Sequence, residues 1–199
     1  MSTVWFFGDS FVYGDGCKPW NEYYSKVGKP TPLWTTQIAS YLECEERNLS
    51  KPGASNMEIL RTFLRTFPDI QEDHTVYIQS TFATRLELIL PRNKIINLEL
   101  GISTNSDEIS KGRKLSAIEF LHEWFLPNLN DWDTYWSALF ETCLNLHKGK
   151  GLFIPYKKVV YQFETINNLF PDINDHHWSF KGHNQMTSFV LKNLDWKVY

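Results

Sequence analysis

Short apolar runs alternate with stretches of helical spacing along almost the whole chain, and this alternation most constrains the fold. Thr3-Val4-Trp5-Phe6-Phe7, Thr75–Gln79 and Leu152–Tyr156 read as buried strands, rich in β-branched and aromatic residues. Glu46–Ser50 and Val159–Phe163 are further extended candidates. Leu33–Leu42, Met57–Phe67, Leu115–Trp124, Trp132–Leu146 and Lys181–Leu194 carry apolar residues at helical spacing, and Asn56 is placed to cap the second of these helices. Asp15–Pro32 reads as a loop, and Arg92–Lys111 is polar and without a clear period. Strands separated by helices call for a mostly parallel sheet with right-handed crossovers and helices on both faces. The expected architecture is a single three-layer α/β/α domain spanning residues 1–199, with a flavodoxin-like sheet. A chain of this length buries roughly 70% of the surface its unfolded form exposes, so its core needs no covalent staple.

The first strand ends in Gly8-Asp9-Ser10, followed by Phe11-Val12-Tyr13-Gly14. In an open α/β sheet, ligands bind outside the carboxyl ends of the strands. A serine on that turn is a nucleophile if a histidine reaches it. Gly-Asp-Ser is equally an ordinary turn in which Asp9 or Ser10 caps the next segment, so the rest of the chain has to decide.

Composition narrows the field. Net charge is −3, with no long basic run, which argues against nucleic-acid binding as the main task. No apolar stretch approaches 18 residues and no leader pattern opens the chain, so the expectation is a cytoplasmic protein with no membrane partner. Cys17, Cys44 and Cys143 are odd in number and far apart, which fits a reducing compartment and neither a disulfide framework nor a metal motif.

The loop before the last helix reads Asp175-His176-His177-Trp178-Ser179-Phe180-Lys181-Gly182-His183. Together with Gly8-Asp9-Ser10, it resembles the GDSL/SGNH hydrolase family, and is also similar to SGNH-like proteins of tailed bacteriophages. The resemblance implies a nucleophilic Ser10, with His177 in register with Ser179 and Gly182-His183, and Trp178 where a proline is usual. It also implies that Gly53, in Pro52-Gly53-Ala54-Ser55-Asn56, lends its backbone N–H to the oxyanion hole beside that of Ser10. The family's Gly-x-Asn-Asp block is missing after Thr75–Gln79, where the chain runs on as Ser80-Thr81. Thr81, Ser80 and Asn56 are the candidates for the side-chain donor.

The chemistry follows from these residue types. A serine hydroxyl needs a base within hydrogen-bond reach, and the base needs a third group to set its tautomer. His177 is the best base and Asp175 the best orienter, with Asp172 and Asn174 as competitors. Asp9, Arg85 and Trp178 are candidates for substrate contact, although Arg85 is more simply paired with Glu87. His176, His177, Asp172 and Asp175 lack the spacing of a known metal site, so neither metal nor organic cofactor is expected. The expected activity is a serine esterase acting on a small acyl ester, with a carbohydrate O-acetyl group suggested by family analogy alone. An O-acyltransferase on the same fold and a non-catalytic ligand-binding module are the alternatives.

Overall fold

The computed structural model of the chain describes residues 2–14, 32–90, 94–99, 128–165 and 176–193. Four parallel strands form the main sheet: β1 (Thr3–Phe7), β2 (Glu45–Asn48), β3 (Thr75–Gln79) and β6 (Lys150–Ile154), in the order β2-β1-β3-β6. β1 pairs with β2 through Phe6 against Asn48 and with β3 through Phe7 against Ile78. Beside them stand α1 (Ser10–Tyr13), α2 (Trp34–Tyr41), α3 (Asn56–Thr66), α4 (Leu129–Asn145) and α5 (Phe180–Lys192).

Strand alternation sorts the apolar side chains into two layers. Val4, Phe6, Tyr77 and Ile154 point to one face, where they join Trp34 and Ile38 of α2 and Met186 and Val190 of α5. Phe7, Val76 and Ile78 point to the other, against Ile59 and Phe63 of α3 and Phe140 and Leu144 of α4. The sheet is therefore covered on both faces, the three-layer arrangement expected for parallel strands. The chain leaves β1 for β2 on one side and then returns to β3 on the other. That reversal lies at the carboxyl ends of β1 and β3, where the connections diverge and leave a crevice.

Several expected elements move. The fourth strand of the sheet is Lys150–Ile154 rather than Leu152–Tyr156. Lys150 and Gly151 pair with Thr75 and Val76, and Pro155, which has no N–H to donate, follows the last paired residue. Val159–Phe163 is not extended: Val159 and Val160 each donate backbone N–H to Tyr156 O and enter the core from a turn. Within the polar stretch Arg92–Lys111, Lys94–Glu99 is a strand, β5, paired antiparallel with β4 (Arg85–Leu90) as a separate hairpin. Ser55, not Asn56, caps α3, its hydroxyl accepting from Glu58 N. The expected helix Leu115–Trp124 and the loop aromatics Trp20, Tyr23 and Tyr24 lie outside the described residues. Among the described residues, no helix is long and apolar enough to cross a membrane.

Candidate active site

Ser10 is the first residue of α1, directly beyond the carboxyl end of β1. Asp9 caps that short helix, its Oδ1 accepting from Phe11 N at 3.1 Å. Ser10 is buried, and its Oγ has no hydrogen-bond partner among the described residues. The turn after β2 is tied to the same place, because Lys51 N donates to Gly8 O at 3.2 Å. Gly53 occupies the third position of that turn at φ +72°, Pro52 the second, and Ala54 N closes it onto Lys51 O at 3.1 Å. Pro followed by a residue at positive φ is the pattern of a type II turn, and glycine takes that φ without a steric cost. A cleft of about 60 Å³ opens beside it, lined by Phe7, Gly8, Ala54 and Ile59 among others.

From the other end of the chain, His177 lays its ring against Phe11, with centroids 5.2 Å apart. Its loop is held by Glu164, a residue without any distinguishing pattern in the sequence. Glu164 O accepts from Ser179 N at 2.9 Å, and its carboxylate accepts from Ser179 Oγ at 2.8 Å and Lys181 Nζ at 3.0 Å. Ser179 in turn caps α5, accepting from Gly182 N at 3.1 Å. A Cβ on Gly182 would stand 2.2 Å from Glu164 O, so the close approach of the two segments requires glycine here. His176 beside it is exposed.

The remaining candidates form one network. Thr81 Oγ1 donates to Asp9 Oδ2 at 2.6 Å, and Arg85 Nη1 reaches the same oxygen at 2.8 Å. Thr81 is itself clamped by Asn56, which accepts from Thr81 N at 2.8 Å and donates to Thr81 O at 3.1 Å. Burial raises the Asp9 carboxyl pKa, and the charge of Arg85, the Thr81 hydroxyl, Phe11 N–H and the charge of His177 all work against that rise. Burial also lowers His183 to about 4, with His177 adding to the effect.

These contacts revise several expected roles. Arg85 does not pair with Glu87; Glu87 accepts a two-pronged bond from Arg61 of α3, one arm at 2.7 Å. Asp9, at 1% exposure, is spent on the network rather than presented to a substrate. Trp178 is a core residue, also at 1%, packed on Phe11 and His183, which removes it from the surface a substrate can touch. The Thr81 hydroxyl donates to Asp9 and the Asn56 amide is engaged at both ends, so neither is poised for an oxyanion. Gln79, overlooked in the sequence, ends β3 with both side-chain amide atoms buried and without a partner among the described residues. Its signal was available: a polar residue closing an otherwise apolar strand. Asp175, Asp172 and Asn174 lie outside the described residues. Among the described residues, no group of three or more His, Cys, Asp or Glu could hold a metal ion.

A parallel sheet ordered β2-β1-β3-β6, helices on both faces and a Gly-Asp-Ser turn at the exit of β1 make a three-layer α/β/α fold with its candidate site at the carboxyl edge of the sheet. No family model matches the sequence, and no curated protein matches it. Several solved structures are similar, two of which follow. One is a candidate lipolytic protein of the G-D-S-L family from Desulfitobacterium hafniense DCB-2, at 11% identity and TM-score 0.49 over 96% of this chain and 99% of that one. The other is a carbohydrate esterase whose active site displays divergent catalytic and non-catalytic binding functions. It matches at 12% identity and TM-score 0.46 over 99% of this chain and 69% of that one.

Proposed function

We propose that the protein is a serine esterase that hydrolyses a small acyl ester, with an O-acetylated carbohydrate as the substrate class. The observation that supports it best is the packing of His177 on Phe11, the residue after Ser10. This brings the candidate base from the far end of the chain onto the nucleophile's own turn. Among the described residues the Ser10 hydroxyl has no competing partner to break before it turns toward the imidazole. Catalytic hydrogen bonds commonly tighten only when substrate is bound.

In this mechanism Ser10 Oγ attacks the ester carbonyl carbon while His177 takes the hydroxyl proton. Charge collects on the carbonyl oxygen, and the N–H groups of Ser10 and Gly53 receive it; one such donor is typically worth about 2.7–4 kcal/mol of barrier. Collapse of the intermediate breaks the bond to the alcohol, which leaves with the proton from His177. Water, deprotonated by His177, then attacks the acyl-enzyme, and the carboxylic acid departs as Ser10 recovers its proton. Asp175 orients His177 and stabilises the imidazolium.

A second reading, ligand binding without turnover, draws on the burial of Ser10 at 2% exposure. A fluorophosphonate probe separates the two. Under the esterase reading the wild type is labelled at Ser10 and cleaves a short-chain aryl ester, and Ser10→Ala does neither. A wild type that is neither labelled nor active on short acyl esters establishes the binding reading instead.

A further inference from the structure

We propose that Arg85 is a positioning residue for Ser10 and acts through Asp9; the inference rests on Ser10 being the nucleophile. A helix of four residues, Ser10–Tyr13, has almost no stability of its own. It is closed by two backbone bonds, Tyr13 N to Asp9 O at 2.9 Å and Gly14 N to Ser10 O at 3.0 Å, and Asn48 Nδ2 holds Val12 O at 3.0 Å. Its entry is set by the Asp9 cap. The Ser10 hydroxyl makes no bond among the described residues, so its direction there is inherited from the backbone that Asp9 holds.

Asp9 is a fully enclosed carboxylate, and such a group stays charged only if paired and hydrogen-bonded. Its donors come from three places: Phe11 N in α1, Thr81 Oγ1 after β3, and Arg85 Nη1 at the start of β4. Arg85 Nη1 also donates to Thr81 Oγ1 at 3.0 Å, which closes a triangle of Asp9, Thr81 and Arg85. The Arg85 guanidinium lies 5.1 Å from the Phe82 ring centre, which limits where it can go. Among the described residues, Arg85 is the cation bonded to Asp9, and His177, from the loop before α5, is the other titratable group acting on that carboxylate. Without Arg85 the carboxylate is left enclosed with neutral donors. It then takes up a proton or turns toward solvent, and either change loosens the turn that aims Ser10.

The test compares wild type, Arg85→Gln, Arg85→Lys and Thr81→Val by rate of Ser10 labelling with a fluorophosphonate, by kcat and KM on a short-chain aryl ester, and by the pH profile of kcat/KM. A misplacement of about 1 Å costs on the order of 10²-fold, so Arg85→Gln should slow labelling and kcat by about that factor, with KM within about threefold. Arg85→Lys should recover about tenfold of the loss by restoring the charge. The acid limb of the Arg85→Gln profile should move to higher pH, because Asp9 loses the cation that holds its proton off. Labelling of folded Arg85→Gln at the wild-type rate overturns the proposal. So does a raised KM with unchanged kcat and labelling, which would make Arg85 a substrate contact. If Arg85→Gln does not fold, Arg85→Lys and Thr81→Val carry the test, and wild-type rates in both overturn it. A wild type that is not labelled at all refutes the nucleophile itself, a different failure from a labelled wild type with an equally labelled variant.

Discussion

Asn56 and Thr81 exchange two hydrogen bonds across the mouth of the sheet, with Thr81 N donating to Asn56 Oδ1 at 2.8 Å and Asn56 Nδ2 to Thr81 O at 3.1 Å. The side chain of one residue thus satisfies both backbone groups of the other, as a neighbouring strand would. Both residues are buried, so no solvent is at hand to replace a lost partner. Asn56→Ala strands a donor and an acceptor, which costs roughly 2–4 kcal/mol. For a chain of this size the melting temperature should fall by about 4–16 °C. Turnover should fall with it, because Thr81 then holds Asp9 less firmly. An unchanged melting temperature would show that the exchange contributes nothing.

Ser10→Ala should separate activity from stability. Removing the nucleophile of a catalytic unit costs on the order of 10⁶ in turnover. The hydroxyl is buried without a partner, and exchanging such a group for hydrogen relieves an unmet polar atom. The melting temperature should therefore stay level or rise. A clear fall would mean that the Ser10 hydroxyl holds the fold.

His177 and His176 are neighbours with different surroundings. His177 is half-buried on Phe11, whereas His176 is exposed. His177→Ala should nearly abolish ester cleavage in folded protein, and His176→Ala should stay within about twofold of wild type, as exposed substitutions usually do. Equal losses in steady-state assays would sink the assignment. On the same loop, Asp175→Asn should lower kcat strongly with little change in KM; the corresponding change in a serine protease costs about 10⁴. Asn174→Ala should do much less, and the reverse ranking would make Asn174 the orienter.

His183 should make the fold acid-sensitive. Its pKa is lowered by burial to about 4, against about 6.5 in the unfolded chain. The unfolded state therefore binds the proton first, so the stabilising effect is complete above pH 6.5 and is lost as pH falls toward 4. By pH 5 the loss reaches about 2 kcal/mol. Urea midpoints at pH 8 and pH 5 should differ accordingly in the wild type, and the part due to this group should vanish in His183→Gln. An identical pH response in both proteins would assign the acid sensitivity elsewhere.

Local pattern was enough to reveal β1, β3, the four helical spans that fall within the described residues and the layered parallel sheet, because buried strands and amphipathic helices announce themselves by period alone. Gly8-Asp9-Ser10 and Ser179-x-x-Gly182-His183 were legible for a related reason: each is a local turn or cap whose residue types are dictated by nearby backbone. Other features depended on partners distant in sequence. The β4–β5 hairpin sits in a polar stretch, and the pairing between its strands supplies what its composition does not. Arg85 and Glu87 stand two apart and look like a pair, yet Glu87 meets Arg61 and Arg85 meets Asp9. Both carboxylates are equally buried, so the pairing is decided by which one each guanidinium can reach, and that is fixed only after the layers close. For the same reason Trp178, which looks available on a polar loop, lies in the core, and Asn56, which looks like a cap, is spent on Thr81. The sequence by itself determined the layers and the Gly8-Asp9-Ser10 turn. Tertiary packing decided which polar groups around Ser10 are consumed by one another, because hydrogen bonds between distant residues are selected by burial and geometry rather than by spacing.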